Sequence, residues 1–182
     1  MISKIDQREQ AVDKIAQHLL RTGLSQTSLR QLAAAAGVSD RMLLYYFDKK
    51  DDALASALGF LAMRMAVELE TRIPAGADLS VKELFLQTAA MASSAELRPY
   101  MDLAIELSAA AMRKTAPYEE IAKAITAQYL AWMEMRLAEQ DPVRRRGEAA
   151  MVLAMLDGLA ILRAVGDEAL EEIAVSAMKA TL

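Results

Sequence analysis

Apolar residues recur at helical spacing along almost the whole chain, and the breaks between periodic stretches carry start and stop chemistry. In the first stretch Ile5, Val12, Ile15, Ala16, Leu19 and Leu20 fall on one side of a helix expected over 5–21, and Gly23 follows it. Glycine suits that place because it accepts the left-handed conformation past a helix end. Ser28 and Gln31 have the S-x-x-Q spacing of a capping box, in which each side chain satisfies the other's orphan backbone N–H. They open a short second helix that ends at Gly37. Ser39 caps a third helix expected over 40–47, and Asp48 can cap a fourth that reaches about residue 71.

The segment 73–78, Ile-Pro-Ala-Gly-Ala-Asp, is the clearest break in the pattern. Ser80 and Glu83 then form a second capping box for a helix to about 94, and Pro99 stands near the start of the next, which reaches Arg113. Pro117 with Glu119 and Glu120 has the first-turn chemistry of a long helix to about 139, since proline lacks the N–H that would be orphaned and acids suit the positive dipole end. Asp141-Pro142 repeats that signal for a helix ending near Val165, and Gly166-Asp167 opens the last. The pattern thus predicts an all-α chain of about nine helices.

The eighth helix is apolar nearly all round over 149–162. That run falls short of the roughly 20 residues a membrane span needs and contains Asp157 and Gly158, so no membrane partner is expected. A helix of this kind must be covered on both sides. Ala150, Ala154 and Gly158, four apart and followed by Ile161, suit close packing against a second copy of the chain. A homodimer through helices 8 and 9 is therefore expected, with burial in a larger monomeric core as the alternative.

Composition narrows the chemistry. The 182 residues are 54% hydrophobic and 25% charged, enough for one or two domains with a real core. There is no cysteine and a single histidine, His18, which removes disulfide scaffolds, Cys/His zinc sites and thiol nucleophiles. A serine–histidine triad would have to use His18. No metal or cofactor is expected, and an enzyme is a distant reading. The polar start, Ser3-Lys4-Ile5-Asp6-Gln7-Arg8-Glu9, has no apolar signal region, so a cytoplasmic location is expected. The net charge of −4 is unevenly spread: residues 1–50 hold eight Lys/Arg against five Asp/Glu, and the remainder carries −7. A polyanion, if bound, is bound by the first quarter.

That quarter contains two short helices meeting at Gly37-Val38-Ser39, with Leu29, Leu32, Ala33, Val38 and Leu43 able to pack the pair against helix 1. The spacing is that of a helix-turn-helix. Its geometry directs the start of the second helix into a major groove of double-stranded DNA, with Ser39 at its head and Asp40, Arg41, Met42 and Tyr45 toward base edges.

These residues resemble the DNA-binding domain of TetR-family transcriptional repressors. The family pattern T-S-x-R-x-I-A-x-x-A-G-V-S-x-x-x-L-Y-x-Y-F-x-x-K is matched at Thr27, Ser28, Arg30, Ala33, Ala36, Gly37, Val38, Ser39, Leu43, Tyr46, Phe47 and Lys50, with Leu32 conservative. The resemblance implies a helix-turn-helix domain over 1–50 and a helical effector-binding and dimerisation domain over 51–182. It also implies phosphate contacts from Thr27 or Ser28 and from Tyr46 and Lys50, which position without specifying. Arg41 is the candidate reader, because a guanidinium can bond guanine O6 and N7 together. Leu44 departs from the family's frequent Tyr and Arg41 from its frequent Gly. Asp40 either accepts from a cytosine amino group or stabilises the helix start.

The same resemblance implies a palindromic operator, released when a small effector binds the C-terminal domain. Gln87, Thr88, Met91, Tyr100, Tyr129, Trp132 and Met133 are the candidates to meet a largely apolar effector. Core packing is the plainer reading of most of the methionines between Met63 and Met155. Glu106 and Asp102, four apart, read as a solvated face rather than a catalytic pair, and Arg144-Arg145-Arg146 as a solvent-exposed rim. The rival reading is a helical ligand-binding or interaction protein of the same fold that has lost DNA binding.

Overall fold

Side-chain caps stand at four of the helix starts, at Ser28, Ser39, Ser80 and Asp141. The structure, a computed structural model, describes residues 4–114, 116–166 and 168–181. Asp167, expected to open the last helix, lies outside them. Among the described residues there are nine α-helices: α1 (Lys4–Thr22), α2 (Leu29–Ala36), α3 (Asp40–Tyr46), α4 (Lys50–Arg72), α5 (Val81–Ala92), α6 (Arg98–Met112), α7 (Tyr118–Glu134), α8 (Pro142–Ala164) and α9 (Glu168–Thr181). A 3-10 turn, Gly23–Gln26, joins α1 to α2. Both capping boxes form, at Ser28/Gln31 and Ser80/Glu83, and the Asp141 carboxylate accepts from the N–H groups of Val143 and Arg144 at the start of α8.

The chain divides into two compact units. One takes residues 1–64 and 106–125, the other 65–105 and 126–182. The division falls within α4, α6 and α7, so the unit that carries the helix-turn-helix is larger than 1–50. It adds the first part of α4, the end of α6 and the start of α7. Its core is built from Val12, Ile15, Ala16 and Leu19 of α1, Leu32 and Ala33 of α2, and Leu43 and Phe47 at α3, all buried. Each fully buried leucine or isoleucine contributes about 1.5–3 kcal/mol of transfer free energy. The second unit packs Leu84 and Phe85 of α5, Trp132 and Met133 of α7, and Val152, Leu156 and Leu159 of α8 into one core.

Helix α7 ends at Glu134, well before the expected 139. The cause is a contact distant in sequence. The carbonyl of Met135 accepts from Gly76 N–H at 2.9 Å, that of Arg136 from Leu79 N–H at 2.7 Å, and Ala138 N–H donates to the Leu79 carbonyl at 2.9 Å. Leu79 and Leu137 thereby form an isolated parallel bridge, where no strand character was expected. Arg136 anchors the junction. Its side chain is buried and donates from Nε to the Ile73 carbonyl and from Nη1 to the Trp132 carbonyl, each at 2.6 Å. Nη2 pairs with the Glu70 carboxylate, and the guanidinium lies 3.9 Å from the centroid of the Trp132 ring.

The methionines are less uniformly interior than expected. Met91, Met101 and Met133 are buried, whereas Met63, Met112, Met135 and Met151 are exposed. Among the described residues no helix is long and apolar enough to cross a membrane.

Candidate nucleic-acid interface

The turn between α2 and α3 follows from local chemistry. Gly37 stands at φ +74°, in the left-handed region, and ends α2 by donating to the Ala34 carbonyl at 3.1 Å while Val38 N–H donates to Ala33 at 3.0 Å. The chain then re-enters a helix at Ser39, whose Oγ accepts from Met42 N–H at 3.2 Å. Leu43 and Phe47 point into the core. Helical periodicity therefore turns the other side of α3 outward: Ser39, Asp40, Arg41, Met42, Leu44 and Tyr45 are all exposed. Tyr45, 58% exposed, is the largest group on that surface. Asp40 occupies the first turn of α3, where a carboxylate complements the helix dipole.

The residues assigned to phosphate are placed unequally. Ser28 is exposed at the start of α2, its hydroxyl donating to Gln31 Oε1 at 2.6 Å. Thr27 is buried, donates to the Leu24 carbonyl at 3.2 Å and lies 3.4 Å from the Tyr118 hydroxyl. Between the two, Ser28 is the one at the surface. Tyr46 is half-buried, and its hydroxyl donates to Gln7 Oε1 on α1 at 3.1 Å. Gln7 had no local sequence signal, because its role exists only once α1 and α3 meet. Lys50 Nζ stands 3.5 Å from Asp51, and Lys49 beside it is the more exposed cation.

Glu106 has a role that spacing did not reveal. Its carboxylate accepts from Leu24 N–H at 2.7 Å, at the 3-10 turn that leads into α2. Asp102 instead lies 3.9 Å from the buried Arg163, which also donates to Glu171 at 3.3 Å. The two carboxylates thus serve different partners. Arg146 pairs with Glu134 at 3.0 Å, and Arg144 is exposed. His18 Nε2 is 3.1 Å from the Gln26 carbonyl.

In the second unit, Thr88, Met91, Trp132 and Met133 are buried, Tyr100 and Tyr129 are partly buried against the same core, and Gln87 is exposed. The Thr88 hydroxyl donates to the Leu84 carbonyl at 2.7 Å, so a local backbone acceptor already satisfies it. Burial, with Tyr100 adding a smaller effect, raises the Tyr129 phenol far above its ordinary value and keeps it a neutral hydroxyl. On the outer side of α8, Ala150, Ala154 and Ile161 are exposed and Gly158 is half-buried. A groove of about 460 Å³ runs there, lined by Met151, Ala154, Met155, Gly158, Ala174 and Met178 among others. Val165, Leu170 and Ile173, also in the α8–α9 region of the chain, are exposed.

Residues 12–57 match the family of bacterial regulatory proteins, tetR family. No curated protein matches the chain significantly. Similar solved structures include a TetR-family transcriptional regulator from Cytophaga hutchinsonii, 16% identical with a TM-score of 0.76 over 98% of this chain and 94% of that one. A transcriptional regulator from Rhodococcus sp. Rha1 is 22% identical, with a TM-score of 0.72 over 96% and 94% of the respective chains. The multidrug binding protein EbrR, in complex with proflavin, is 23% identical with a TM-score of 0.67 over 97% and 99%. The family match is confined to residues 12–57, and the chain as a whole shares the fold of these solved structures.

Proposed function

We propose that the protein is a homodimeric, cytoplasmic DNA-binding regulator of transcription, a repressor that leaves a palindromic operator when a small, largely apolar effector binds. The observation that carries this reading is the outer surface of α3. Six neighbouring positions, Ser39 to Met42 with Leu44 and Tyr45, are exposed on a helix held rigidly from behind by Leu43 and Phe47. A major groove admits such a helix, and base edges meet its first turns. Arg41 supplies the guanidinium that can bond a guanine twice, Met42 and Tyr45 the apolar contacts, and Ser28, Tyr46 and Lys50 the backbone contacts.

The dimer rests on the groove and apolar surface of α8 and α9, where small residues allow close approach of a second copy. A two-fold pair of heads spaced by about one DNA turn, roughly 34–36 Å, or a multiple of it, matches a palindrome. The effector reading rests on the apolar, aromatic core of the second unit, with Met91, Trp132 and Met133 buried in it and Tyr100 and Tyr129 packed against it, and on the proflavin bound by the similarly folded EbrR.

Selection of bound fragments from sheared DNA of the source genome, at about 50 and 200 mM salt, tests the proposal, because nonspecific binding falls away along that axis. A palindromic site retained at the higher salt is the expected result. Absence of any salt-resistant site, with or without candidate effectors, overturns it in favour of a ligand-binding protein that has lost DNA affinity.

A further inference from the structure

The first two turns of α1 run past the end of α3, and three residues of α1 meet three successive aromatic residues there. Lys4 Nζ lies 4.0 Å from the centroid of the Tyr45 ring. Gln7 accepts from the Tyr46 hydroxyl at 3.1 Å. The Arg8 guanidinium lies 4.7 Å from the Phe47 ring centroid while its Nη2 donates to Ser56 Oγ at 3.0 Å. Positions 4, 7 and 8 share one side of a helix, so a single strip of α1 engages the whole aromatic end of α3. Phe47 is buried and Tyr46 half-buried, so packing fixes both. Tyr45 differs. It is 58% exposed and stands on the outward side of α3, where core packing cannot hold its ring.

Two contacts restrain that ring: the tilted ring of Tyr46, 5.9 Å away between centroids, and the Lys4 ammonium over its face. A cation over an exposed tyrosine is attracted by the ring's quadrupole. An aromatic held in its binding rotamer before contact loses less freedom on association. We propose that Lys4 is a positioning residue of the DNA interface, which presets the Tyr45 ring on the reading helix and so sharpens discrimination at the base step Tyr45 meets. This rests on the reading of α3 as the element that enters the groove. It assigns function to a residue outside the helix-turn-helix motif.

The test compares Lys4→Met, Lys4→Arg and Tyr45→Leu, with the Lys4→Met/Tyr45→Leu double variant, on the selected operator and on single-base variants of it. Lys4→Met is expected to weaken operator binding about two- to fivefold, with the loss concentrated at one base step and the salt slope unchanged. Lys4→Arg restores binding, and Lys4→Met has no further effect once Tyr45 is Leu. In the DNA-free protein, Lys4→Met shifts the Tyr45 ring resonances in NMR spectra and leaves those of Tyr129 in place.

Equal weakening on every sequence, with a salt slope lower by about one and effects additive with Tyr45→Leu, makes Lys4 a plain phosphate contact and overturns the proposal. So does unchanged operator binding by Lys4→Met. Failure of the unaltered protein to bind any DNA specifically is a separate result, and it removes the underlying reading itself.

Discussion

The carboxylate of Glu106 accepts the backbone N–H of Leu24 at 2.7 Å, and it fills the space that a side chain on Gly23 would need. Gly23 stands at φ +63°, and a Cβ there lands on that carboxylate. The left-handed backbone favours glycine here, and the Glu106 side chain occupies the space a Cβ would take. Gly23→Ala therefore swings Glu106 aside, loses the bond to Leu24 and strains the turn, at a combined cost of about 1–3 kcal/mol. Thermal unfolding of Gly23→Ala, Glu106→Ala and the double variant checks this. The glycine substitution is expected to cost less when Glu106 is already Ala, and strict additivity contradicts the contact.

Arg136→Met removes three hydrogen bonds at the end of α7 and leaves the Ile73 and Trp132 carbonyls without the donor that served them. Breaking a buried ionic anchor of this kind costs about 3–5 kcal/mol. Denaturant unfolding is expected to show a large fall in midpoint. A change below about 1 kcal/mol would mean that the bridge between Leu79 and Leu137 holds α7 without it.

Acid should weaken the protein through two particular carboxylates. Glu70 is held below the ordinary range chiefly by the N–H of Ala75, with Arg136 assisting, and Glu83 by the backbone and side chain of Ser80. For an acid whose folded pKa is lowered, the stabilisation is present above the unfolded value and is lost as pH falls through the folded value. Replacing both by Gln is expected to flatten the loss of stability as the pH falls below the ordinary glutamate value. Equally steep acid unfolding in the variant would assign the loss to other carboxylates.

A charge on the outer side of α8 tests the proposed dimer. Ile161 is 52% exposed and substitution there leaves the core untouched. Ile161→Glu is expected to convert a dimer to a folded monomer in sedimentation velocity, with an unchanged circular dichroism spectrum. An unaltered dimer would place the interface elsewhere.

What was legible in the sequence was the part whose physics is local. Ser28 with Gln31, Ser80 with Glu83, and Asp141 each find their partner within a turn of helix, and the expected starts of α2, α5 and α8 agree with the structure for that reason. Gly37 ended α2 by its own backbone freedom. The early end of α7 was hidden because Arg136 finds its partners at Glu70 and Ile73, more than 60 positions away. Thr27 and Ser28 looked interchangeable as adjacent hydroxyls, yet only folding turns Thr27 inward toward Tyr118. Glu106 is exposed, as a solvated face implies, but nothing near it in sequence announces the turn it meets. Of the seven candidate effector residues, Met91, Tyr100, Tyr129, Trp132 and Met133 gather in or against one core, where hydrophobic spacing cannot separate packing from a ligand site.

The most direct test of the central claim is the dependence of operator affinity on salt for the unaltered protein, Arg41→Ala and Lys50→Ala, measured in parallel on the selected palindrome and on a scrambled duplex. The account predicts that Arg41→Ala costs about 1–3 kcal/mol on the palindrome and little on the scrambled duplex, because it removes a base contact. Lys50→Ala is expected to weaken both duplexes alike and to lower the salt slope by about one. Equal losses from the two substitutions on both duplexes would contradict the assignment of α3 as the element that reads sequence.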